Sequence, residues 1–110
     1  MAVINMLAWN IEVFGPGKYG NSPNNVRLVN LIGRVAAQQN ANIVVLMELM
    51  TSISYQVAFN VCEAIGQATA SPWRFTVLRA RPGGDREAYA ILWRTNLAFQ
   101  VLIDGAEMKT

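Results

Sequence analysis

The sequence predicts an α/β domain, a mixed β-sheet with helices packed on one face. Three features carry that prediction. Two short apolar runs, residues 3–14 and 43–48, flank a stretch whose apolar residues recur at helical spacing. A second helical pattern follows the second run. Three further apolar segments, the first two joined by "RPGGD", then read as strands, so the expected order is β-α-β-α-β-β-β. One helix between the first two strands makes them parallel neighbours through a right-handed crossover.

The elements follow in order. Residues 3–14 are apolar at most positions and read as a strand buried on both faces. "GPGKYGNSPNN" is a loop by composition, and it lacks the Gly-Lys-Ser/Thr ending of a phosphate-binding loop. Ser22-Pro23 is a helix start, a hydroxyl cap followed by a proline at the first helical position. Val26, Val29, Ile32, Val35 and Ala36 line one face of that helix, and Asn40 or Asn42 closes it in a left-handed conformation. "IVVLME" is a buried strand. The second helix runs from about Ser54 to Ala68, with Val57, Ala58, Val61 and Ile65 inward and Cys62 beside them, until Ser71-Pro72 breaks it. In "WRFTVLR", Trp73, Phe75 and Val77 share one face. "EAYAILWR" pairs antiparallel with it, "LAFQVLI" is a last strand, and Asp104-Gly105 is a turn.

The 110 residues suffice for one domain. They are 53% hydrophobic and 15% charged, against about 25% charged in an average domain. Two readings stay open: a tightly packed domain with short loops, or a chain whose apolar surface is covered by something else. A net charge of +2 on scattered basic residues argues against a nucleic-acid footprint built on charge alone. A single cysteine, Cys62, excludes an internal disulfide and fits a cytoplasmic chain. No signal peptide is expected from "MAVINMLAWN", and the longest purely apolar run is too short to span a bilayer. The chain contains no histidine, so no Ser–His or Cys–His arrangement can be built from it.

Two polar residues stand out. Asn10 interrupts the first apolar run and Glu48 ends the second. Each has an ordinary explanation, a local backbone bond for the amide and a first loop position for the carboxylate. However, the carboxyl ends of adjacent parallel strands are where α/β sheets build sites. An amide and a carboxylate meeting there suit Mg²⁺, which takes one or two carboxylates and keeps its waters. Glu87 opens a later strand beside Asp85 and Arg86, and its spacing alone does not single it out.

"LAWNIEVFG", "NANIVVLMEL" and "REAYAILWR" together resemble the amino-terminal half of the endonuclease/exonuclease/phosphatase family, the deoxyribonuclease I-like hydrolases. Trp9-Asn10 matches the family's first motif. "NIVVLME" matches its "D-I-V-x-L-Q-E", with Asn42 for Asp and Met47 for Gln. Glu87, Tyr89, Ala90, Trp93 and Arg94 match "E-x-Y-A-x-x-Y/W-R". The likeness covers roughly residues 3–103.

The resemblance implies half of a four-layer α/β sandwich, residues 1–110 forming one partial domain whose second half is absent. It implies a phosphoesterase, most simply a nuclease, that uses Mg²⁺ or, in its place, Mn²⁺ or Ca²⁺. Glu48 resembles the metal-binding carboxylate, and Asn10 the amide that arranges metal and phosphate. Glu87 resembles the carboxylate that orients a catalytic histidine. That histidine, the later Asp-x-Asn and the terminal Asp-His pair are missing, so the chain is expected to be catalytically incomplete. Nucleic acid or another phosphate ester would be the substrate of the complete domain. A sheet face left wet would take a second half-domain or a second copy. The chain is then the product of a shortened gene or one half of an assembly, marginal as an isolated monomer. Two alternatives remain: a non-catalytic module that binds protein through the same face, and a self-contained domain whose likeness is coincidental.

Overall fold

The computed structural model describes residues 4–10, 26–49, 53–79 and 88–96. They form β1 (Met6–Asn10), α1 (Val26–Gln38), β2 (Ile43–Leu49), α2 (Ser54–Thr69), β3 (Trp73–Arg79) and β4 (Ala88–Arg94). The sheet order is β1-β2-β4-β3. β1 and β2 are parallel, as a single helical crossover requires, and β4 runs antiparallel to both neighbours. The fold is thus α/β, with a mixed sheet and two helices. The expected Ser22-Pro23 helix start, the last strand and the Asp104-Gly105 turn lie outside the described residues.

Periodicity explains the core. Val29, Ile32 and Ala36 of α1 and Val57, Ala58, Val61 and Ile65 of α2 are buried with Val44, Leu46 and Leu49 of β2 and Ala88, Ala90 and Leu92 of β4. Leu7, Trp9, Trp73, Phe75 and Val77 pack against this cluster, which places both helices on one face. The two helices approach closely at Gly33, where an added Cβ would sit 3.0 Å from the Ala64 carbonyl oxygen.

Both helices end in left-handed residues. Asn40 (φ 53°) closes α1, with the Ala41 N–H donating to the Ala36 carbonyl at 2.9 Å and Asn40 N–H to Ala37 at 3.1 Å. Ala70 (φ 51°) closes α2, with Ser71 N–H donating to Gly66. From α1 the chain enters β2 beside β1, where Asn5 N–H donates to Asn42 Oδ1 at 2.9 Å and Asn42 N–H to the Asn5 carbonyl at 2.8 Å.

β1 differs from its sequence reading. It is not buried on both faces: Leu7 and Trp9 are half-buried, whereas Met6, Ala8 and Asn10 are exposed. Among the described residues, helices cover only one side of the sheet, so an outer strand alternates. The uncovered face carries Met6, Ala8 and Asn10 in register with Ile43, Val45 and Met47, followed by Ile91 and Trp93 of β4. Met6 is 66% exposed, whereas Ile43, Val45, Met47, Ile91 and Trp93 are half-buried, so this face is apolar and only partly accessible.

Candidate active site

The rim at the carboxyl ends of β1 and β2 gathers the two polar residues. Asn10 is the last residue of β1 and stands in register with Met47. Regular alternation along β2 puts Val44 and Leu46 on the helix-packed face and Ile43, Val45 and Met47 on the open one. Continued without interruption, it would bury Glu48 beneath the helices and expose Leu49.

A β-bulge prevents this. Leu46 pairs with Ala90 and Leu49 with Ala88, so Met47 and Glu48 together stand against Tyr89. Glu48 adopts a left-handed conformation (φ 58°) and is half-buried, while Leu49 reaches the core at 1% exposure. The magnitudes decide the outcome. A left-handed non-glycine residue costs roughly 1–2 kcal/mol. Burying Leu49 contributes about 1.5–3 kcal/mol. Burying an unpaired carboxylate instead would cost several kcal/mol.

Turned out of the core, the Glu48 side chain meets Asn10, whose Nδ2 donates a hydrogen bond to Glu48 Oε2. An amide can approach a carboxylate only through its N–H, so the bond also fixes the amide orientation, with Oδ1 directed away from Oε2. Sequence reasoning brought these two residues to one rim, and their side chains touch. The bulge escaped it, although the three-residue spacing from Leu46 to Leu49 across a charged residue was its visible trace. Glu87 lies outside the described residues. The described part of the third motif spans the sheet: Tyr89 faces the bulge, whereas Arg94 lies at the opposite end, donating to Ser71 Oγ at 3.1 Å and the Ala41 carbonyl at 3.3 Å.

A solved structure of an endonuclease/exonuclease/phosphatase family protein from Leptotrichia buccalis C-1013-b superimposes on 83% of this chain with a TM-score of 0.57. The fold is that of part of an endonuclease/exonuclease/phosphatase family protein. Sequence identity is 12%, and the chain matches 37% of that protein's length, so the likeness to that family protein is one of architecture over part of a larger chain. No family model and no curated protein matches the sequence. Among the described residues, no helix is long and apolar enough to cross a membrane.

A hollow of about 790 Å³ lies elsewhere, between α1 and α2, lined by Leu28, Leu31, Arg34, Ala64 and Gln67. Among the described residues, it shares none with the Asn10–Glu48 rim, and Arg34 is the one ionisable side chain lining it. The rim instead places an oriented carboxylate at the mouth of two parallel strands.

Proposed function

We propose that this chain carries the metal-binding sheet of a divalent-cation-dependent phosphoesterase, most simply a nuclease. The observation that carries the reading is the Asn10–Glu48 contact at the carboxyl-end rim of a sheet with an endonuclease/exonuclease/phosphatase fold. The donor set fits the cation. Glu48 offers hard carboxylate oxygens, Asn10 offers an amide oxygen, and Mg²⁺ takes one or two carboxylates while keeping several waters. Among the described residues, no cluster of three His, Cys, Asp or Glu side chains forms a closed cage. When bound, such an ion stabilises negative charge on the non-bridging oxygens of a phosphate ester.

Each residue then has a role. Glu48 would hold the cation, Mg²⁺ or in its place Mn²⁺ or Ca²⁺. Asn10 orients Glu48 through Nδ2, and its amide oxygen would be the group offered to the cation or the phosphate. Glu87 would orient a histidine base supplied by another half-domain. The chain supplies no histidine, so it provides the anion-stabilising side of the site without the proton acceptor. Complete chemistry then requires a second half-domain, and nucleic acid is the substrate class of the whole.

The test is hydrolysis of a simple phosphodiester in Mg²⁺ by the chain alone. The expected result is no turnover above background. Substantial turnover that is unchanged in Glu48→Ala would overturn the assignment.

A second reading is favoured by the open apolar face, where Met6, Ile43, Val45 and Ile91 lie uncovered by the helices. There the chain is a non-catalytic module that binds a protein or a second copy of itself. Size-exclusion chromatography with and without Mg²⁺ separates the two: a stable dimer indifferent to Mg²⁺ favours the module.

A further inference from the structure

We infer that Leu49 is a positioning residue for the rim: its seat in the core opposite Ala88 sets the bulge that delivers the Glu48 carboxylate to Asn10. The inference deepens the reading of Glu48 as a working carboxylate and rests on it, but its geometry stands apart from any bound ion.

Four observations combine. Leu49 is 1% exposed and its cross-strand partner Ala88 is fully buried, so a large side chain on β2 fills the space a small one leaves on β4. The preceding pair, Leu46 and Ala90, repeats the arrangement. Between these two anchors β2 holds one residue more than β4, and the surplus is absorbed where Glu48 takes its left-handed conformation. The residue so displaced is the one that receives the Asn10 amide. Leu46 and Leu49 therefore act as fixed points, and the carboxylate is presented by the arc between them. Bulges re-aim side chains in this way. A glutamate held in a backbone conformation that favours glycine needs its surroundings to enforce it.

The side-chain amide resonances of Asn10 report the contact with no cation present, and Glu48→Ala defines their position without the carboxylate. Leu49→Met, which keeps an apolar side chain of similar volume, retains the parent position. Leu49→Gln moves the resonances to the Glu48→Ala position, while the Val44 and Leu46 backbone amides keep their slow exchange. Parent-like Asn10 resonances in a folded Leu49→Gln chain overturn the inference.

If Leu49→Gln does not fold, a second comparison decides. Glu48→Gly must exceed Glu48→Ala in folding equilibrium constant by about fivefold, because only glycine adopts φ near 58° freely. Equal constants, or a larger one for alanine, remove the left-handed bulge and the inference with it. Mn²⁺ titration then separates this inference from the reading it rests on. An affinity at least tenfold weaker in Leu49→Gln extends the positioning effect to the ion. Absence of Mn²⁺ binding in parent and variant alike, with the Asn10 shift as expected, supports positioning and removes the cation role.

Discussion

Asn10 Nδ2 donates to Glu48 Oε2 across two parallel strands, joining residues 38 positions apart in the sequence. The contact exists because α1 returns the chain to lie beside β1 and because β2 bulges at its end. A regular β2 would have placed the carboxylate on the helix-packed face and the leucine on the other. The site is therefore a consequence of core packing.

Ala70→Gly stabilises the chain by about 1 kcal/mol. Ala70 closes α2 at φ 51° and ψ 42°, a conformation glycine adopts without the penalty of a Cβ. Urea denaturation checks it, and Asn10–Glu48 behaviour stays unchanged.

Gly33→Ala destabilises, despite alanine's higher helix propensity. The added Cβ would meet the Ala64 carbonyl carbon at 3.1 Å and its oxygen at 3.0 Å, and backbone does not yield easily. Propensity returns about 1 kcal/mol and overpacking costs about 1–3 kcal/mol, for a net loss on the order of 1 kcal/mol. Thermal unfolding of the variant measures the sign.

Arg94→Lys lowers stability by about 1–2 kcal/mol and leaves cation affinity at the rim unchanged. Arg94 reaches Ser71 and the Ala41 carbonyl and lies over the Trp73 ring at 5.6 Å. A lysine reproduces neither the fork nor the stacking. Paired urea and Mn²⁺ titrations check both halves. A loss of affinity without a loss of stability would move Arg94 from scaffold to site.

Cys62 reacts more slowly with a thiol reagent at pH 8 than an unstructured cysteine does. Burial first, and the neighbouring Glu63 carboxylate second, push its thiol pKa up. The folded chain thus keeps this proton in a range of alkaline pH where the unfolded chain has lost it. Stability is full below the ordinary thiol pKa and falls as pH rises toward the raised one. Cys62→Ala flattens that part of the stability profile.

Much of this arrangement was legible from periodicity. Val29, Ile32 and Ala36, then Val57, Val61 and Ile65, have helical spacing and are buried. The parallel pairing of β1 and β2 followed from a single intervening helix, and Asn40 closes α1 as its tolerance of left-handed backbone allowed. Other features had weaker traces. Ala70, with no glycine or asparagine to announce it, closes α2 before Ser71-Pro72 is reached. The bulge at Glu48 arises from competition between two leucines and a carboxylate for one sheet face, which is a tertiary effect. Arg94 belongs to a recognisable motif, yet its contacts serve the α1–β2 and α2–β3 connections. β1 looked fully buried because its apolar content was read without knowing that helices cover one side only.

The most direct measurement is Mn²⁺ binding to the chain, followed by electron paramagnetic resonance, in parent, Glu48→Gln and Asn10→Ala. The account predicts one site in the parent, weakened at least tenfold by Glu48→Gln, which removes the charge and nearly preserves the shape, and weakened less by Asn10→Ala. Binding equal in all three, or absent from the parent, would contradict it.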